Sequence, residues 1–168
     1  GLDDAGKTTF LNKFMNPKAP GTSPQPTEAY NMHDVKFGGI KFNVWDVSGK
    51  KSTRSLWPRY YSEGGVDAIL WVVDANSSDE RLEESRKELD SQLRHPVLAK
   101  KPLFLLLNKC DLPDRKSQQE ITELFKVDAI KKDRHVLIKE VSAKTGKGVK
   151  ESMKELAKEL KVDLKEQS

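Results

Sequence analysis

The chain begins GLDDAGKTTF, and the spacing of Gly1, Gly6, Lys7 and Thr8 there, G-x-x-x-x-G-K-[ST], constrains the fold more than anything that follows it. A loop of this kind works between a strand and a helix. Its glycines let successive backbone N–H groups converge on one anion, and the N-terminus of the next helix adds its positive end. On this reading Asp4, Ala5, Gly6, Lys7, Thr8 and Thr9 offer main-chain N–H groups to a polyphosphate. The Lys7 ammonium reaches the outer phosphates, and the Thr8 hydroxyl is a ligand for Mg²⁺. The strand that should lead into the loop is not in the sequence, so at least one central strand is expected before Gly1.

The rest of the chain alternates strand and helix patterns. Thr8 to Phe14 continues the loop into a helix that Asn16-Pro17 should stop. NPKAPGTSPQPTEAY then reads as a long loop, and loops of that length in compact domains are often functional. HDVKF and IKFNVWD flank Gly38-Gly39, a two-residue hairpin signal. Alternation in the second strand puts Ile40, Phe42 and Val44 on one face and leaves Trp45 beside Lys41 and Asn43 on the other. VSGKKSTRSLW follows as a polar, irregular stretch. AILWVVDA, PLFLLLNKCD and VLIKEVSA are continuous apolar runs that suit strands buried on both faces of a parallel sheet. Amphipathic segments around Leu82, Leu89 and Leu93, around Ile121, Leu124 and Phe125, and around Val149, Met153, Leu156 and Leu160 separate or follow them. The expected architecture is one α/β domain over residues 1–168, a mostly parallel sheet flanked by helices. Ligands of such sheets bind outside the carboxyl ends of the strands.

Polar motifs sit at those ends. Asp46-Val47-Ser48-Gly49 would hold the Mg²⁺ shell through a water on Asp46 and sense a terminal phosphate with the Gly49 N–H. In Asn108-Lys109-Cys110-Asp111 the Asp111 carboxylate matches the two N–H donors on the Watson–Crick edge of guanine, a pair that adenine lacks. The Lys109 stem can lie on the base, and Asn108 can tie two loops together. Ser142-Ala143-Lys144 offers the Ala143 N–H to the guanine oxygen and Lys144 as a cover. Each motif is weak alone. In this order and at these positions they describe a site for GTP or GDP.

Composition leaves few other classes open. Charged residues make up 33% and hydrophobic ones 36%, and no apolar run has the roughly 18 residues a membrane span needs. The single cysteine, Cys110, excludes an internal disulfide and suits a reducing compartment, and His33, His95 and His135 lack metal-ligand spacing. The net charge of +4 owes much to Lys147, Lys150, Lys154, Lys158 and Lys161. Because Glu151, Glu155 and Glu159 are interleaved among them, the stripe reads as a solvated helix face, and no nucleic-acid partner is expected.

GLDDAGKTT, PTEAYN, WDVSG, LWPRYY, NKCDLP and RLEESRKELDSQLRHP resemble the Arf/Arl family of small GTPases along essentially the whole chain. The resemblance implies the small-GTPase form of the phosphate-loop NTPase fold, a six-stranded, mostly parallel sheet with one antiparallel edge strand, its first strand lying before Gly1. It implies a GTP/GDP switch that needs Mg²⁺ and works in membrane traffic or in ciliary and organelle signalling. Thr27 corresponds to the switch I threonine that closes on Mg²⁺ and the γ-phosphate. Tyr30, Trp45 and Tyr60 correspond to the aromatic trio that engages effectors; Trp45 also admits cover by a segment preceding Gly1. Effectors, exchange factors and an activating protein are the implied partners. A cytoplasmic protein is implied, peripheral to a membrane in its GTP state through an amphipathic N-terminal helix upstream of Gly1.

Two departures bear on chemistry. The family's glutamine after D-x-x-G, which orients the attacking water, is Lys50 here. An ammonium donates hydrogen bonds but accepts none, so catalysis by Lys7, Gly49 and Lys50 is expected to be very slow. Lys50 can pair with the γ-phosphate or point to solvent. The usual Ile-Gly-Phe after Thr27 is Glu28-Ala29-Tyr30, and Ser48 replaces a common glycine, which puts the usual partners in doubt. A GTP-dependent binding module that does not turn over remains the alternative. A phosphate-loop kinase or ATPase is disfavoured by Asp111 and Ser142-Ala143-Lys144.

Overall fold

A computed structural model describes residues 1–21 and 24–166, with side chains to residue 161. Among them the chain runs α1 (Lys7–Met15), β1 (Tyr30–Phe37), β2 (Ile40–Val47), a 3-10 segment (Lys51–Leu56), α2 (Trp57–Gly64), β3 (Ile69–Asp74), α3 (Asp79–Leu93), a short 3-10 turn (Pro96–Leu98), β4 (Leu103–Asn108), α4 (Gln118–Leu124), α5 (Val127–Ile130), β5 (Val136–Glu140) and α6 (Val149–Glu166). None of the described helices is long and apolar enough to cross a membrane.

The described residues form five strands in two sheets, an antiparallel β1-β2 pair and a parallel β3-β4-β5 sheet. Residues 1–3 run as coil between them. The Asp3 N–H donates to the Gly49 carbonyl beyond the end of β2 at 3.1 Å, and a Cβ on Gly1 would lie 2.3 Å from the Val72 carbonyl oxygen of β3. The hairpin follows its sequence signal, with Phe37 paired to Ile40 and both intervening glycines at positive φ, +60° and +79°. That geometry matches the right-handed twist of the strands.

β4 is the centre of the parallel sheet and is buried throughout. Its alternation divides the core. Phe104 and Leu106 meet Phe10, Leu11 and Phe14 of α1 and Val149, Met153 and Leu156 of α6. Leu103, Leu105 and Leu107 meet Leu82 and Leu89 of α3, with Ile121 and Phe125, on the other face. Asp74 pairs with Asn108 at the carboxyl ends of β3 and β4, so the loops that follow emerge at one level.

The stretch after Gly49 is more regular than its polar sequence suggests. Trp57 opens α2 with Pro58 inside its first turn, its ring is buried, and its indole N–H donates to the Ser48 carbonyl at 2.8 Å. Buried Arg54 anchors the preceding 3-10 segment.

Arg134 closes the opposite end of α3. Its guanidinium donates to the carbonyls of Leu93, Leu98 and Lys101 at 3.1, 2.8 and 3.1 Å. Leu93 is the last residue of α3, whose terminal carbonyls lack intrahelical donors. Replacing Arg134 by alanine is expected to cost about 2 kcal/mol, because a charged donor satisfies three carbonyls at once. Urea melts should show the loss; an unchanged midpoint would mean that water replaces the guanidinium fully.

Candidate functional site

Around the carboxyl ends of the strands lies a cavity of about 500 Å³, lined by Asp4, Gly6, Lys7, Thr8, Thr9, Thr27, Gly49, Lys50, Asn108, Lys109, Asp111, Ala143 and Lys144, among others. These residues come from five stretches far apart in sequence. Ala5, Ser142 and Asp46 stand behind that wall and brace it.

The loop before α1 curls as its glycines allow. Gly6 has φ +98°, and a Cβ there would lie 2.2 Å from the Asn108 amide nitrogen. That amide donates to the Ala5 carbonyl at 2.8 Å while its oxygen accepts from the Ala143 N–H at 2.9 Å. Asn108 thus ties the first loop to the last. The Ala143 N–H, expected to meet a ligand oxygen, is engaged by Asn108. Ser142 Oγ donates to Asp111 at 2.8 Å and steadies its carboxylate, and Lys109 is pinned to Asp74 at 2.6 Å.

At the other end, the Lys7 ammonium donates to the carbonyls of Gly1 and Leu2 at 3.1 and 2.8 Å. Burial lowers its pKa to about 8, with Asp46 and Asp3 pulling the other way. A phosphate oxyanion beside it would favour the charged form. Thr8 Oγ1 hydrogen-bonds to Asp46 and lies 2.9 Å from Thr27 Oγ1. The second Asp46 oxygen, Oδ1, is buried with no hydrogen-bond partner. Buried polar atoms are rarely left unpaired. Two hydroxyls and a carboxylate with a free buried oxygen are the donor set of a hard, oxygen-seeking cation, and they fit Mg²⁺.

Gly49 joins the two halves. Its carbonyl accepts from the Asp3 N–H and, at 3.0 Å, from Arg54 Nε, and a Cβ there would lie 2.3 Å from the Leu2 backbone. Arg54 also reaches Asp3, Glu84 and Glu88 at 3.1, 2.6 and 3.3 Å. Sequence reading misses this buried hub, since a lone arginine in a polar stretch carries no periodic signal. It also misses Gly21, Pro24, Gln25 and Pro26, which line the cavity from the long loop, although the loop's length and proline content mark it as functional.

Lys50 lines the cavity rim, and its Nζ lies 2.8 Å from Glu28 Oε1. Outside the cavity, Tyr30, Trp45 and Tyr60 gather on one surface. Tyr30 stacks on Trp45 with centroids 5.1 Å apart and approaches Tyr60 equally closely, while the Trp45 N–H donates to Asn43.

The model of the ADP-ribosylation factor family matches residues 1–160. This chain belongs to the ADP-ribosylation factor family. The ADP-ribosylation factor-like protein 2 of Drosophila melanogaster is 40% identical over 154 residues, which cover 91% of this chain and 80% of that one. ADP-ribosylation factor-like protein alp41 of Schizosaccharomyces pombe is 35% identical over 161 residues, covering 96% and 83%. Among solved structures, the Arl6 BBS3 small GTPase of Trypanosoma brucei with bound nucleotide analogue GppNp superposes with a TM-score of 0.83 at 28% identity, over 96% of this chain and 94% of that one. This Arf-family chain therefore has the small-GTPase fold, in a family of GTP-binding switches and GTP hydrolases.

Proposed function

We propose that this Arf-family chain is a GTP/GDP switch with slow intrinsic hydrolysis. The observation that carries the reading is the convergence of Thr8, Thr27 and the unpartnered Asp46 Oδ1 at one end of a cavity whose other end holds Asn108, Asp111 and Ala143. In this reading Asp4 to Thr9 bind the phosphates through N–H groups and Lys7. Thr8 and Thr27 ligate Mg²⁺, with Asp46 acting through a water. A Mg²⁺ held there would supply charge neutralisation for the bound phosphates. Asn108, Lys109, Asp111, Ser142, Ala143 and Lys144 form the base site. The analogue bound by the trypanosome relative supports the same ligand class.

Thr27 and Gly49 both flank the phosphate end, so loss of the γ-phosphate would release both loops. Tyr30, Trp45 and Tyr60 lie just beyond those loops and form the effector surface of the GTP state. Recruitment to a membrane through a segment preceding Gly1 completes the reading, with exchange and activating proteins as regulators. A switch that binds GTP without useful turnover is the second reading; the engagement of Lys50 by Glu28 favours it.

Competition against a fluorescent guanine nucleotide tests the base site. GTP and GDP should displace the probe at least about 10³-fold better than ATP, since adenine leaves the Asp111 acceptors unmet. Equal displacement by ATP would refute the assignment. Chelation of Mg²⁺ should speed nucleotide release; an unchanged release rate would refute the cation site.

A further inference from the structure

Glycine has the most conformational freedom of any residue, so a glycine N–H can serve a phosphate reliably only where something holds it. Both peptide planes that meet at Gly49 are held. In the plane before it, the Ser48 carbonyl accepts from the Trp57 indole N–H at 2.8 Å. That peptide bond is trans, so its carbonyl and the Gly49 N–H point in opposite directions. In the plane after it, the Gly49 carbonyl accepts from the Asp3 N–H at 3.1 Å and from Arg54 Nε at 3.0 Å. The Lys50 N–H of the same plane donates to Ser48 Oγ at 3.3 Å. The Gly49 N–H itself has no acceptor among the described residues, although Gly49 is buried. Buried main-chain donors are rarely left so.

Packing alone does not require these bonds. Trp57 is 3% exposed and meets Trp71 edge to face with centroids 5.7 Å apart, a contact that a phenyl ring could also make. Arg54 is 5% exposed, and Asp3, Glu84 and Glu88 match its charge, yet its Nε goes to the neutral Gly49 carbonyl. Gly49 lines the cavity, whereas Trp57 and Arg54 stand outside its lining and hold the glycine from behind. Through Asp3 the same guanidinium ties Gly49 to the phosphate loop, and through Glu84 and Glu88 to α3.

We infer that Trp57 and Arg54 are positioning residues of the nucleotide site, which aim the Gly49 N–H at the terminal phosphate of GTP. The inference rests on the GTP-switch reading above. A donor already aimed needs no reordering when the phosphate arrives, and a fixed dipole stabilises charge better than one that must first turn. GDP presents no γ-phosphate to that N–H. Trp57 and Arg54 therefore act on the binding of GTP and leave that of GDP alone.

Trp57→Phe and Arg54→Lys test this against the parent chain. The first keeps a buried ring and removes the indole donor. The second keeps the positive charge, but an ammonium cannot meet the Gly49 carbonyl and Asp3 as one planar fork. Affinities for GDP and for the non-hydrolysable analogue GppNp are measured on each. Either variant should weaken GppNp by about tenfold and leave GDP within about twofold of the parent. The ratio of the two affinities is what a merely structural role would not move, since a loosened fold weakens both nucleotides alike. An unchanged ratio in either variant would overturn the inference, and if the parent binds both nucleotides the switch reading would still stand. A parent chain that binds neither nucleotide would overturn both.

Discussion

With Asp111 replaced by asparagine, affinity for GTP should fall by about 10³-fold or more, and xanthine nucleotide should become the tighter ligand. The carboxylate accepts from Ser142 Oγ and lines the cavity opposite the phosphate end. Guanine presents two N–H donors on one edge, and a carboxylate meets both with acceptors alone. Asparagine keeps one acceptor but turns an N–H₂ toward the second donor, so donor faces donor. Xanthine carries an oxygen where guanine carries its amino group, and the amide then pairs correctly. Ser142 can donate to either side chain, so the loop should survive the change. Competition with GTP, XTP and ATP reads the outcome. Equal loss for all three would mean that Asp111 shapes the loop and does not choose the base.

The strand-end motifs are legible in the sequence because their roles depend on local backbone. A phosphate loop needs its glycines in register with a helix, and the Gly38-Gly39 turn needs two residues at positive φ. The continuous apolar run of β4 likewise announces a strand buried on both faces. What stays hidden is every contact that joins distant residues without a repeat. Arg54 meets Asp3, Glu84 and Glu88 across 30 to 51 residues. Such a pairing is decided by tertiary geometry, and no window of sequence contains it. The helix α2 escapes notice for a related reason: it is short, and buried Trp57 holds it through one indole hydrogen bond, not through a long amphipathic pattern. The Ala143 N–H adds a further hidden contact, since a tripeptide can suggest a ligand contact but not the hydrogen bond that this N–H donates to Asn108 Oδ1.

Replacing Lys50 by glutamine should raise the single-turnover rate of GTP hydrolysis by about a hundredfold. Two effects act in the same direction. An ammonium at the rim can offer only donors to the transferred group and the water. An amide supplies the missing acceptor on the same side chain, in a position where the backbone is already held by Ser48 Oγ. The substitution also breaks the ion pair between Lys50 and Glu28, which frees the new side chain to turn toward the cavity. Nucleotide release should change little, because Lys50 touches none of the residues assigned to the cation or the base. The rate and the release must be measured together: a faster rate with unchanged release places the gain in the chemical step. Equal rates for the parent chain and Lys50→Gln would mean that the residue after Gly49 does not govern turnover. A slower Lys50→Gln would show that the positive charge itself stabilises the transition state, and the rate-limiting role assigned to the missing amide would be wrong.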